Sequence, residues 1–498
     1  MSNIIRLIGL LLIGASLVGI LCACKTDTPP EPGQTETKAE STTGSKDPAP
    51  PEDLHAIDVL GERDLTGQTI TFFARVGGNM WDIASLDAEE YLADTINDAV
   101  YDRNEALYGQ FGFDVEIIES GATSYSQRVE NQILSGTNEF DVLTACGYDM
   151  AELAAKAVLR DVTQIDSMRL DQSWWNTTLN EQLSIANALF YFTGDLICED
   201  NMAVRCVFFN KSLADAVNES PDALYTMARE GMWTFEQLFR IAADAYVDMD
   251  NVTGKSDGDR FGLMGQTAVA AYVFMTAAGV QITSKNSSDE PVLNSSFNYD
   301  VLDAIAAYLV QDGVLIAEDV LTPYKNGRVL FMTEVLGTVI KIRDWDIKSG
   351  ILPMPKYQES QESYYHFADG NCLNLLALPT GNNSRLNDIT FIMNAMCVES
   401  ANTLNPAFYD TCLRGRYSYD PESAEMLDII FDSYYIENAN LYKRSWKSGD
   451  SNIQDDIMKA IAAGESVSTV IASYSQGLPA QIRNTISRLR DIALAQRT

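Results

Sequence analysis

The chain has 498 residues, with 35 Lys+Arg against 70 Asp+Glu and a formal net charge of −35. Such a surface repels nucleic acid and anionic lipid, and the length exceeds what one ordinary core holds, so two lobes are expected. Only His55 and His366 offer imidazole and no CxxC pair occurs, which leaves too few ligands for a zinc site.

The chain begins with one basic residue, Arg6, followed by an apolar run from Leu7 to Ala23. At about 1.5 Å rise per residue the run barely spans a ~30 Å hydrocarbon core, so it reads as a secretory signal peptide over residues 1–23. Its last four residues, Leu21-Cys22-Ala23-Cys24, resemble the bacterial lipobox: aliphatic at −3, small at −1, then an obligatory cysteine. That resemblance implies that the Cys24 thiol carries a diacylglyceryl group and becomes the first mature residue. Cys22 would need Leu21 at −1, which is too large.

From Lys25 to Pro51 the chain is mostly Thr, Ser, Glu and Pro, with almost no aliphatics to bury. It reads as an extended tether, stiffened by Pro29-Pro30 and by the prolines between 48 and 51, and the whole of 24–63 is assigned to it. The expected location is therefore extracytoplasmic, on the outer face of the cell membrane. Removal of residues 1–23, which hold Arg6 and no acid, takes the net charge to −36. The Asn-x-Ser/Thr sequons, among them those at Asn176, Asn218, Asn251, Asn286, Asn294 and Asn382, read as chance in an Asn-rich bacterial lipoprotein.

The folded part opens with QTITFFARV (68–76), an alternating β-branched and aromatic run expected as a strand. DTINDAVYDRNEALYGQFG (94–112) is a helix pattern with Ile96, Ala99, Val100, Ala106 and Leu107 on one face and a capping box from Thr95 to Asp98. Strand FDVEIIES, helix YSQRVENQILSG, strand FDVLTAC and helix MAELAAKAVL continue the alternation that builds a parallel sheet. NALFYFTGDL (187–196) and RCVFFNKSLA (205–214) are strand-like. Helices are expected at 234–247, 268–280 and 299–313, strands in RVLFMTEV, SGILPMPKY and NCLNLLALP, and a helical C-terminus from about 423.

The six cysteines beyond Cys24 show no disulfide spacing. CEDNMAVRC could fold as a hairpin bridged from Cys198 to Cys206, or hold free buried thiols. There is no HExxH, and carboxylate pairs in so acidic a chain decide nothing. TGKS at 253–256 lacks the first glycine of a phosphate loop, because position 249 is Met249. The acidic stretch 247–262 has the composition of a calcium loop, but Val252 breaks the EF-hand register, so a solvated turn and no metal are expected.

NDAVYDRNEAL, RCVFFNKSLAD, GMWTFEQL, SDGDRFGLMG, GRVLFMTEV, GILPMPKYQESQESYY and LNLLALPTGN occur in an order that resembles the bacterial extracellular solute-binding proteins of family 1, the sugar-type receptors of ABC importers. The resemblance runs from Leu65 to the end. It implies two α/β lobes of the periplasmic-binding-protein type joined by crossover strands, a C-terminal helical region, no catalysis, no cofactor, and a ligand in the cleft. It also implies a monomer that docks on ABC permease subunits. The lobes would be 64–189 plus 367–398 and 190–366 plus 399–498, with hinges at Gly194-Asp195 and Asp369-Gly370.

A sugar asks for aromatic faces and for carboxylates or amides at the carboxyl ends of strands. Trp81, Tyr148, Glu334, Asp195, Asp369 and Trp446 meet that description and are the expected ligand residues, while Trp174, Trp175 and Trp233 read as packing. No Lys/Arg cluster is visible at the strand ends, so an uncharged carbohydrate is expected. The rival readings are a secreted carbohydrate-active hydrolase and a surface sensor or adhesion lipoprotein.

Overall fold

The computed structural model describes residues 54–79, 82–137, 139–256, 258–267, 269–381, 383–413 and 420–497, all within one compact unit, Pro48–Thr498. Cys24 and the signal and tether expectations lie outside the described residues.

In chain order the strands are β1 (Thr69–Val76), β2 (Asp114–Gly121), β3 (Val142–Cys146), β4 (Arg205–Asn210) and β5 (Phe261–Gln266). A small hairpin, β6 (Thr283–Lys285) and β7 (Pro291–Leu293), precedes β8 (Val314–Ala317), β9 (Val329–Val335) and β10 (Ser349–Leu352). Short β11 (His366–Phe367) leads to β12 (Asn374–Ala377), and β13 (Tyr434–Tyr435), β14 (Lys447–Ser448) and β15 (Ser451–Asn452) complete the set.

Two sheets carry the fold. The first has the order β12-β3-β1-β2, with β1 parallel to both neighbours and β12 antiparallel to β3. The second has the order β10-β4-β9-β5-β8, with β5 parallel to β8 and β9 and with β4 antiparallel to β9. Each sheet thus has an early strand flanked by its two successors, then one antiparallel strand beside the third. The order in which strands are added reverses around β1 and around β5, and each reversal opens a crevice at the strand carboxyl ends. Internal strands β3 and β9 are buried along their whole length, as a sheet covered on both faces requires.

Helices form where the spacing expects them, with corrections of register. Asp94, not Thr95, caps helix Thr95–Phe111: its carboxylate accepts from the Ile96 and Asn97 amides at 3.1 Å each, while Asp98 accepts from the Leu92 amide instead. The buried face of that helix includes Arg103, whose guanidinium donates to the carbonyls of Ser85, Leu86 and Leu196. Burial pulls its pKa down to about 10, against the opposing pull of Cys397 and Glu199. The 205–214 run is strand β4 followed by helix Lys211–Ala216, which Asn210 caps. Thr234 caps helix Phe235–Ala245, with Trp233 buried beside it and donating to the Pro353 carbonyl.

The 187–196 segment is a crossover rather than a strand. Phe192 pairs with Leu376 through one isolated bridge, and Gly194 pairs with Trp175 through another. The return crossing is better ordered: β11 lies parallel to β13, and Val204 bridges Ala368. His366 is buried in this crossing, where Nε2 accepts from the Met354 amide and Nδ1 meets Ser433 Oγ at 2.8 Å. Burial drives its pKa down to about 3, so it is neutral in water near pH 7.

Candidate functional site

The two crevices face one cavity of about 390 Å³. Asn79, just beyond β1, and Tyr148, just beyond β3, line it from the first sheet. Gln266 at the end of β5, Glu334 and Val335 at the end of β9, and Arg205 at the start of antiparallel β4 line it from the second. The crossover adds Asp369, Asn371 and Cys372, and further polar groups come from Thr338, Lys341, Lys443 and Gln454.

Strand register builds the charged floor. Pairing of Val204 with Ala368 sets Arg205 beside Asp369, and the β4–β9 ladder sets Arg205 opposite Val335, next to Glu334. Arg205 Nη2 donates to Asp369 Oδ2 at 2.6 Å, and Nη1 to Glu334 Oε2 at 3.4 Å and to Gln266 Oε1 at 3.2 Å. The carboxylates are held in turn by backbone, Asp369 by the Asn371 amide and Glu334 by the Val335 amide. Burial alone would lower the Arg205 pKa, but Asp369 and Glu334 outweigh it and the net shift is upward. The guanidinium Nε is buried without a hydrogen-bond partner.

Tyr148 forms the wall. Its hydroxyl accepts from the Asn440 side-chain amide at 3.2 Å, and Asn440 also donates to Gln454. Lys443 Nζ stands 4.9 Å from the ring centroid and the Arg444 guanidinium 5.1 Å, so cations already approach this aromatic. Burial, then the Asp369 charge, push the phenol pKa well above its ordinary value. Next to it, Asp149 pairs with Arg75 at 2.7 Å and with Arg444 at 2.6 Å, tying residues 440–444 to the end of β3.

No family model matches the sequence, and no curated protein does. Solved structures do match in fold. An ABC substrate-binding protein from Listeria monocytogenes, in complex with cycloalternan, aligns with a TM-score of 0.52 at 12% identity, over 85% of this chain and 98% of its own. A cyclo/maltodextrin-binding protein complexed with maltotetraose gives 0.52 at 11%, over 85% and 96%. UgpB from Mycobacterium tuberculosis, in complex with glycerophosphocholine, gives 0.51 at 13%, over 87% and 100%. The chain has the two-lobed fold of the ABC substrate-binding proteins.

Within this substrate-binding fold the cavity gathers three of the expected residues, Tyr148, Glu334 and Asp369. Trp81 lies outside the described residues. Asp195 does not line the cavity: it sits on the crossover, its amide donates to the Trp174 carbonyl, and burial and then Asp200 push its carboxyl up to about 7, against the Asn405 side chain. Trp446 does not reach it either. Its indole is buried, stacked on Tyr442 with centroids 5.1 Å apart, and donates to Thr485 on helix Gly477–Gln496. Trp174 and Trp175 are buried and both donate to Asn394.

The residues that the sequence did not single out are mainly the amides and the cations. The expectation of no basic cluster at the strand ends is overturned by Arg205, Lys341 and Lys443, which meet at one cavity from three distant segments. The one local signal was Arg205, a lone charge opening the apolar run RCVFF.

All six described cysteines are free and buried, so Cys198 and Cys206 are not bridged, and Cys198 Sγ instead meets Ser85 Oγ at 3.0 Å. The carboxylates of Asp248, Asp250 and Asp259 lie within 4.8 Å of one another and could hold a hard cation such as calcium. Those oxygens already accept from the amides of Asn251, Val252, Met249 and Ser256, which is the turn the sequence suggested. Among the described residues no helix is long and apolar enough to cross a membrane.

Proposed function

We propose that this protein is the substrate-binding receptor of an ABC importer, held on the outer face of the cell membrane by a lipid on Cys24, and that it takes a sugar or short oligosaccharide between its lobes. The observation that carries the reading is the pair of facing strand-end crevices around one polar cavity, furnished with carboxylate, guanidinium, amide and phenol groups. Hydroxyls donate to the first and third of these oxygens and accept from guanidinium and amide N–H, so a polyol can satisfy both. At about 390 Å³ the cavity stands at the small end of the ~300–1,000 Å³ usual for small-molecule sites, which suits a small sugar better than a long chain. The fold neighbours solved with cycloalternan and maltotetraose support the ligand class.

Closure would bend the backbone at Gly194-Asp195 and Asp369-Gly370, and a permease would recognise the closed form. A hydrolase is the weaker reading, because the two cavity carboxylates share one guanidinium instead of standing free as acid and nucleophile. A thermal-shift screen against a sugar panel tests the receptor reading: a ligand at 100 times its dissociation constant adds ~2.7 kcal/mol. Stabilisation by one or a few sugars is expected, and stabilisation by amino acids or peptides alone would overturn it. For the anchor, palmitate should label the wild-type protein in a bacterial host and leave Cys24→Ser unlabelled.

A further inference from the structure

We propose that the ligand is an acidic sugar whose anionic group is held by Lys341 and Lys443, an inference that rests on the receptor reading above. The chain as a whole has two acids for every base, yet three of the five charged side chains at the cavity are cations. Both carboxylates there, Glu334 and Asp369, are committed to Arg205, at 3.4 and 2.6 Å. They are not available to the lysines. Lys443 has only a long contact with Asp455, at 3.7 Å, and the face of Tyr148. Lys341, on the short helix that follows β9, makes no ion pair among the described residues.

Closing a cleft over an ammonium group strips its water, and a compact, strongly hydrated charge loses more by this than a guanidinium does. A neutral sugar offers hydroxyl acceptors in return, which do not replace a counter-ion. A carboxylate or phosphate on the sugar does. The buried Arg205 triad then meets the hydroxyls, and the two lysines meet the acid. In a molecule this negative, a local cationic patch also draws the anion against the overall field.

Titration calorimetry at low salt tests this with three sets of probes: neutral mono- and disaccharides, the matching uronic acids, and sugar phosphates. The uronic acid or the phosphate set should contain a ligand that binds roughly ten- to hundredfold tighter than its neutral parent, and which set responds tells carboxylate from phosphate. Lys341→Gln and Lys443→Gln should each weaken that ligand roughly tenfold, weaken the neutral parent less and flatten the salt dependence. Both side chains are at least partly exposed, and unchanged melting curves would show that the variants fold. Tight binding of a neutral sugar with no preference for its acid would overturn the inference and leave the receptor reading standing. Acid binding indifferent to both lysines would overturn their role. Silence from all three sets would overturn the sugar receptor itself.

Discussion

Asp94 joins two tasks in one carboxylate: Oδ1 caps the helix Thr95–Phe111, and Oδ2 pairs with Arg343, which follows β9 and its short helices in the second sheet's half of the fold. The pair therefore ties the helix that follows β1 to the segment that follows β9, close in sequence to Lys341. Asparagine caps a helix as well as aspartate does but carries no charge, so the two tasks can be separated. Asp94→Asn should cost ~0–1 kcal/mol, the worth of a partly exposed pair, and Asp94→Ala about 1 kcal/mol more. Urea midpoints check this, and equal values for the two variants would remove the cap. Arg343→Gln added to Asp94→Asn should cost nothing further.

The buried triad makes a sharper prediction. Arg205→Met leaves Glu334 and Asp369 buried with no cation between them, which typically costs ~3–5 kcal/mol. Adding Glu334→Gln and Asp369→Asn should restore most of the stability while leaving ligand binding abolished. Failure of the two amides to restore stability, measured by urea unfolding, would show that packing rather than charge is at stake.

These two relationships differ in how far the sequence exposes them. Alternation in QTITFFARV and continuous apolarity in RVLFMTEV reveal β1 and β9, because a strand's burial is written in its own residues. The Arg205–Asp369 contact depends on one bridge between residues 204 and 368, a register that no local window contains. Trp446 misleads for the same reason: YKRSWKSGD reads as a polar loop, yet helix Gly477–Gln496 and Tyr442 cover its indole. Asp94 and Thr95 are both good caps, and only the backbone at Asp94, extended at φ −106° and ψ 128°, chooses between them. The cavity lysines are ordinary surface residues until the fold brings their segments to one place.

Four buried acids govern the pH dependence of stability. Burial pushes Asp195, Glu199 and Glu437 up to about 7 and Asp200 to about 6, against partial relief from Asn405 for Asp195, Ser85 for Glu199, Tyr272 for Glu437 and Thr193 for Asp200. Their unfolded values lie near 4, so between about pH 4 and 7 the folded state holds protons that the unfolded state has lost. Stability from these groups therefore falls as pH rises through that window and levels off above it. His366 works the other way, since its folded pKa of about 3 lies below its unfolded value near 6.5. Four groups outweigh one. The urea midpoint should be higher at pH 5 than at pH 7.5, and Glu199→Gln or Glu437→Gln should flatten the slope. A midpoint that rises with pH would contradict the assignment.

The crossings themselves can be tested with a methyl group. A Cβ on Gly370 would stand 2.5 Å from Asn440 Oδ1 and 2.7 Å from Tyr148 Cε1, both side-chain atoms and the second of them in the cavity wall. A Cβ on Gly194 would stand 2.7 Å from the Trp174 carbonyl oxygen and 2.6 Å from the Trp175 ring, so there the backbone must move as well. Neither glycine has a positive φ, so the cost in each case is space and not conformation. Gly194→Ala should lose more stability, of the order of 1–3 kcal/mol as for other overpacked sites, with the cavity unchanged. Gly370→Ala should lose less, because side chains can yield, but it should displace Tyr148 and break the Asn440 hydrogen bond to the Gly370 amide. Ligand affinity should therefore fall at least tenfold for Gly370→Ala and hold for Gly194→Ala, as read by calorimetry with whichever sugar stabilises the wild type. The reverse order would place the ligand at the 190–195 crossing instead, beside Asp195.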